Sequence, residues 1–290
     1  MKTILICTNF SKVAKQAAEY GLRLAGELRL KLLLAHALPV PVPMVTPAGI
    51  DIPYGGSEED REAILERLAI ERDKLSNGKF TRQASGMGLP ELEIAAGFGS
   101  PGSYLGELVK KQGVGLVIVG LSGRGNTSRF LLGSTSRDLI KMGTFPVLLL
   151  PKDISYKPVK QIIFASELQE GDFHALGYLA EIAGRTKASI RIAHVLKGGE
   201  ACESERIEHF LVRAKAMLPG LDITSLNIYN HSEMDGLDWL QKHTSMDCLA
   251  MVHREHSFFS NLFHQPFSQQ MARIAKGPLL IIPEDYPLSA

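Results

Sequence analysis

Three glycines and a serine in this chain of 290 residues have the types and spacing to seat phosphate oxygens: Gly120-x2-Gly123-x9-Gly133-Ser134, followed by Thr135. A phosphate needs several donors and room for close approach. Glycine lets the main chain come near and accepts positive φ. A helix N-terminus adds unpaired N–H groups and a positive partial charge. Gly120 follows an apolar run that ends in Val119, Gly123 and Gly125 keep the next loop open, and Gly133, Ser134 and Thr135 open a helix. The two hydroxyls can cap that helix or donate to an anion, and Arg124 and Arg129 lie within reach in the loop. The pattern is not the dinucleotide fingerprint, because close glycines do not follow the first strand. It is not the P-loop, because no Gly-Lys-Ser/Thr ending is present. Spacing alone also suits a turn that merely joins strand to helix.

The elements that must position these residues are short apolar runs alternating with helical patterns. Ile4-Leu5-Ile6-Cys7 reads as a buried strand, and Thr8-Asn9-Phe10-Ser11 as a turn and helix cap. Ala14, Ala17, Ala18, Gly21, Leu22, Ala25 and Leu28 then recur at helical spacing. Further strands are predicted at 32–37, 92–96, 116–119 and 147–150, with helices over 104–112 and from Ser134. Such alternation gives an α/β fold with a parallel sheet covered on both faces.

The order then repeats. Residues 2–38 align on 160–196, and 115–151 on 247–283, each without a gap. The second set of strands falls at 162–165, 190–193, 223–229, 249–252 and 279–282. Two tandem domains, 1–152 and 159–290, joined by 152–158, are the expectation. The first copy carries extra residues between its second and fourth strands, with Pro39, Pro41 and Pro43 among them. Residues 39–56 cannot be helix and are too proline-rich for a central strand, so they form a lid or an extended surface loop.

The second copy has lost the glycine set. Val252, Glu255, Gln265 and Pro266 stand where the first has Gly120, Gly123, Gly133 and Ser134, and Glu167 stands where it has Asn9. Glu255 would repel phosphate and Pro266 removes a donor, so no nucleotide is expected there. His253, His256 and His264 lack the spacing and cysteines of a metal site and read as solvated histidines. Phe258, Phe259, Leu262, Phe263 and Phe267 crowd the same loop, either filling the emptied site or forming a patch for a partner. Trp239, beside Leu237 and Leu240, reads as core.

Bulk composition narrows the partners. The chain is 45% hydrophobic and 22% charged, with a net charge of +1, so no electrostatic footprint for nucleic acid or an anionic membrane is present. No run approaches a membrane span, and Cys7, Cys202 and Cys248 are too scattered for a disulfide framework, which points to a reducing cytoplasm.

Three motifs resemble the universal stress protein family. Gly120-x2-Gly123-x9-Gly133-Ser134 looks like its ATP-binding signature, Thr8-Asn9-Phe10-Ser11 like its Thr-Asp-Phe-Ser turn, and Phe145-Pro146-Val147-Leu148-Leu149 like its Cys-Pro-Val-Leu-Val ending. The resemblance implies two tandem open-sheet domains, each a five-stranded parallel sheet of the adenine nucleotide alpha hydrolase-like kind. It implies ATP, ADP or AMP at the strand carboxyl ends, with Mg²⁺ as a companion ion. Adenine would lie near Thr8, Asn9 and Ala37, and ribose and phosphates on Gly120, Gly123, Gly133, Ser134 and Thr135, with Val119 also among the nucleotide-binding residues. The family's fifth strand usually forms the dimer contact, here available within one chain through 146–150 and 278–282, with further oligomerisation open. The family aspartate is Asn9 in this chain, which keeps the hydrogen-bonding shape, loses the charge and puts Mg²⁺ dependence in question.

No catalytic set stands out. Slow ATP hydrolysis or self-phosphorylation on Ser122, Ser128 or Ser134 rests on the resemblance alone. The expected function is a cytoplasmic stress-response protein that binds ATP in its first domain and acts on a protein partner. The alternative is an interaction scaffold with incidental nucleotide binding.

Overall fold

The computed structural model describes residues 1–40, 42–45, 51–54, 56–78, 89–121, 134–196, 201–254 and 275–287. They fall into two compact units, Met1–Val119 and Gly120–Ala290.

Unit 1 is built on four parallel strands in the order β6 (Val114–Gly120), β1 (Thr3–Cys7), β2 (Lys31–Leu38), β5 (Leu92–Phe98). The apolar runs read from the sequence are these strands; Ile4, Leu5, Ile6, Leu32, Leu34, Val117 and Ile118 are fully buried. Burying one such side chain stabilises by about 1.5–3 kcal/mol.

Helix α1 (Lys12–Leu28) follows β1 because Ser11, in extended conformation, accepts a hydrogen bond from the Ala14 amide. The seven small and apolar residues at helical spacing are all buried. The helix stops at Arg29, which is left-handed (φ 53°) and returns its N–H to Ala25 and Gly26. Helix α3 (Pro101–Gln112) starts on a Ser100 cap with Pro101 in its first turn, and ends at Gly113 with φ 60°.

The described parts of the proline-rich insertion include two short extended segments, 42–45 and 51–54. Strands β3 (Val42–Val45) and β4 (Asp51–Tyr54) form an antiparallel two-stranded ribbon in which Pro43 faces Pro53. A two-strand ribbon tolerates the missing N–H groups where a central strand would not. Helix α2 (Glu58–Ser76) comes next, opened by a capping box between Ser57 and Asp60. The two hydrogen bonds from Ser57 hold the Asp60 carboxyl below its usual range.

Unit 2 contains β7 (Val147–Leu150), β8 (Gln161–Ala165), β9 (Ser189–Leu196), β10 (Ile223–Tyr229), β11 (Cys248–His253) and β12 (Leu279–Pro283). Its helices are α4 (Ser134–Met142), α5 (Asp172–Thr186), α6 (Ala201–Met217) and α7 (Glu233–His243). Five strands are parallel in the order β10-β9-β8-β11-β12, and β7 pairs antiparallel with β12, Leu148 opposite Leu280.

The repeat read from the sequence reaches the level of single hydrogen bonds. Thr8 N donates to Ala35 O at 3.0 Å, and Ser166 N to Ala193 O at 2.9 Å. Leu30 N donates to Ala25 O at 2.9 Å, and Ala188 N to Ala183 O at 3.2 Å. The left-handed residues Phe10 (φ 61°) and Arg29 (φ 53°) recur as Leu168 (φ 57°) and Lys187 (φ 58°).

Trp239 departs from expectation. It is 42% exposed and stacks on His243 (centroids 4.8 Å apart), while Leu237 and Leu240 are buried. The helical period turns residue 239 away from the stripe that its two neighbours form.

Candidate nucleotide site at the strand carboxyl ends

The carboxyl end of β1 in unit 1 is a turn in which each polar side chain bends the chain. Thr8 is buried, and its Oγ1 accepts from the Phe10 amide at 3.0 Å. Asn9 is exposed, and its Oδ1 accepts from the Ser11 amide at 3.1 Å. Ser11 Oγ accepts from the Ala14 amide at 3.2 Å. These are the side-chain-to-backbone bonds through which Thr, Asn and Ser shape turns and caps. With its oxygen held, Asn9 presents its NH₂ group at the strand end, whereas an aspartate would present a second acceptor.

Ala37 is half-buried in β2, and Val119 is buried one residue before the end of β6. Since β6, β1 and β2 are adjacent, Thr8, Asn9, Ala37 and Val119 gather at the carboxyl ends of three neighbouring parallel strands. Three further residues belong to this end. His36 Nδ1 donates to the Thr8 carbonyl at 2.7 Å, which leaves Nε2 as the acceptor in the neutral ring. The Phe10 ring lies 5.0 Å from the His36 ring, and the Arg67 guanidinium sits 3.9 Å over Phe10. The sequence does hold a signal for His36, because the aligned block places His194 at the same position. It holds none for Arg67, since α2 lies outside both aligned blocks.

Of the predicted phosphate residues, Gly120 is half-buried as the last residue of β6. The next amide, Leu121 N, donates to Leu150 O at 2.8 Å. Ser134 begins α4 and Thr135 is half-buried in its first turn. Gly123, Gly125, Gly133, Arg124, Arg129, Ser122 and Ser128 lie outside the described residues, as do Glu255, His256, His264, Gln265, Pro266 and the phenylalanines of 258–267.

The matching end of the second copy is charged. Arg254, 8% exposed, follows β11 and is surrounded by carboxylates from three segments. Its Nη2 pairs with Asp172, which is fully buried; Nε donates to Glu284 Oε1 at 2.7 Å; Nη1 lies 3.8 Å from Glu167 Oε2. Asp172 also accepts from Ser166 Oγ at 2.5 Å and from the Gln169 amide at 3.2 Å. Burial pulls the Arg254 pKa down, but the charges and hydrogen bonds of Asp172 and Glu284 outweigh it and leave a net upward shift. Gly171 makes room for this arrangement, because a β-carbon there would come within 2.5 Å of Glu284 Oε1. None of the four residues except Glu167 stood out in the sequence.

Other reactive groups are quiet. Burial pushes the Cys7 thiol, beside Thr8, up to about 12, so it carries no thiolate at neutral pH. Among the described residues, no group of three or more His, Cys, Asp or Glu side chains could hold a metal ion, and no helix is long and apolar enough to cross a membrane.

Parallel strands wound with helices, and a polar turn at their carboxyl ends, define an α/β protein of the class that takes ligands at that edge. Residues 1–151 match the universal stress protein family, and the chain belongs to it. It is 26% identical over 151 residues to a universal stress protein of Methanocaldococcus jannaschii, spanning 52% of this chain and 82% of that protein. A solved universal stress protein from Archaeoglobus fulgidus superposes with a TM-score of 0.65 at 16% identity, covering 97% of this chain and 95% of that one. The cytoplasmic domain of a prokaryotic cation chloride cotransporter superposes with a TM-score of 0.55 at 11% identity, covering 98% and 96%. Likeness at these identities is a likeness of fold, and function has to be argued from the site.

Proposed function

We propose that this chain binds an adenine nucleotide, ATP or its diphosphate or monophosphate, through its first copy, and that the second copy binds none. The observation that carries the reading is the gathering of Thr8, Asn9, Ala37 and Val119 at the ends of three adjacent strands, with β6 leading directly into the glycine segment. Ligands of open parallel sheets bind at that edge. Thr8, Asn9 and Ala37 take the base side. Gly120, Gly123, Gly133, Ser134 and Thr135 take ribose and phosphates through backbone N–H groups and hydroxyls.

Asn9 offers a neutral amide where a carboxylate would draw a cation, so Mg²⁺ enters with the phosphates rather than through this side chain. Domains 1–152 and 159–290 divide the work, the second acting as the structural partner that pairs β12 with β7. The protein serves a cytoplasmic stress response, with nucleotide occupancy read by a protein partner. Catalysis is not required by this reading.

Calorimetric titration with ATP tests it. One site per chain is expected. Gly123→Glu should weaken binding by roughly 100-fold, since a carboxylate beside a phosphate opposes it by about 1–4 kcal/mol and also blocks close approach. Absence of binding by ATP, ADP and AMP to the wild-type chain would remove the proposal.

A further inference from the structure

The charged set in unit 2 has a counterpart in the sequence of the first copy, residue by residue. Glu167, Asp172 and Arg254 align with Asn9, Ala14 and Ser122, and continuing the second block by one residue aligns Glu284 with Lys152. All four differ in charge, in a repeat that keeps the strand-end bonds of Thr8 and Ser166 to the neighbouring strand. We propose that Arg254 and its three carboxylates determine ligand specificity, excluding nucleotides from the second copy independently of its missing glycines. The inference rests on the reading that the first copy is the binding one.

Two physical effects act together. Among the described residues, Glu167, Asp172 and Glu284 outnumber the guanidinium they surround, so an approaching polyphosphate meets net negative charge from this set. The guanidinium is also largely committed: of its three nitrogens only Nη1, buried and 3.8 Å from Glu167 Oε2, makes no hydrogen bond. Its Nε and Nη2 donors are committed to Glu284 and Asp172. Turning it toward a ligand would strand Asp172, fully buried, without its counter-charge. Arg254 thus ties three segments together at the strand ends and offsets only part of the negative charge gathered there. The loop from β8 to α5 is held on its outer side too, where Arg213 forks onto Glu170 and lies 4.1 Å over the Phe173 ring.

Grafting the set onto the full-length first copy tests the inference, with Gly120, Gly123 and Gly133 left in place. The variant Asn9→Glu/Ala14→Asp/Ser122→Arg/Lys152→Glu should bind ATP about 100-fold more weakly than wild type, given the unit charges introduced. Cooperative thermal unfolding would show that it folds. Should the buried Ala14→Asp change prevent folding, Asn9→Glu/Lys152→Glu decides instead, with roughly a tenfold loss expected. Wild-type ATP affinity in a folded graft overturns the proposal. A wild-type chain that binds no adenine nucleotide instead defeats the functional reading. In that case hydrogen exchange of the amides of 166–172 in Arg254→Ser decides the remaining point. Faster exchange supports the closing role of Arg254, and unchanged exchange overturns it.

Discussion

The turns after β1 and β8 start from the same backbone bonds and carry different chemistry. Thr8 and Ser166 each bond the amide two residues on, at 3.0 Å in both cases, and His36 and His194 each bond the strand-end carbonyl, at 2.7 and 2.8 Å. Between these fixed points, Asn9 faces outward without charge, while Glu167 lies beside a buried arginine. Strand, turn and helix therefore set only where a ligand could be met. A few side chains set whether it is met, and two of them, Asn9 and Asp172, also accept main-chain amides within their turns.

The largest expected effect breaks the second member of the pair. Arg254→Met leaves Asp172 buried and uncompensated, and should destabilise the chain by about 3–5 kcal/mol in urea unfolding. Arg254→Met/Asp172→Asn should recover most of that loss. If the double variant is no more stable than the single one, Arg254 stabilises through packing rather than charge. The first copy has nothing equivalent to break, with Ala14 in place of Asp172.

A smaller effect addresses what the two turns share. His36→Phe and His194→Phe each remove one bond to a strand-end carbonyl and should each cost about 1 kcal/mol of unfolding free energy. Equal losses would mark the histidine as architectural in both copies. A drop in ATP affinity for His36→Phe, absent for His194→Phe, would add a ligand contact to its role.

The smallest effect is acid-dependent and confined to the second copy. Hydrogen bonds from Lys242 and Lys276 hold the Asp238 carboxyl at about 2, below its ordinary 3.8. Because the folded pKa is the lower one, the stabilisation is present above about pH 4 and is lost as pH falls toward 2. Asp238→Asn should flatten this part of the stability profile and cost no more than about 1 kcal/mol at neutral pH, as for other surface pairs. Carrying the offset of the second block back into α3 places Gly106 opposite Asp238, a position with no side chain to titrate.

Much of this was legible from residue order. The strands announced themselves as apolar runs, and α1 as small residues at helical spacing, because both are buried and burial leaves a periodic trace. Helix α2 left almost none: of its residues only Leu68 is buried, so charge on the other faces hides the period. Trp239 misled because proximity to Leu237 and Leu240 in sequence is not proximity on a helix face. The Arg254 set was invisible for another reason. It joins residues at 167, 172, 254 and 284, and only the folded sheet brings these four to one edge.

The antiparallel pairing of β7 with β12 bears on how this chain can be divided. Val147, Leu148 and Leu149 come from the first sequence copy, yet they cover the outer side of the last strand of the second. A fragment starting at residue 159 would leave Leu279, Leu280 and Ile281 with a bare row of main-chain donors and acceptors. An open apolar border of that kind recruits whatever strand it meets, so severed halves are expected to clump or to trade strands with their neighbours. Any cut between residues 150 and 279 would therefore have to supply a new cover for both strands.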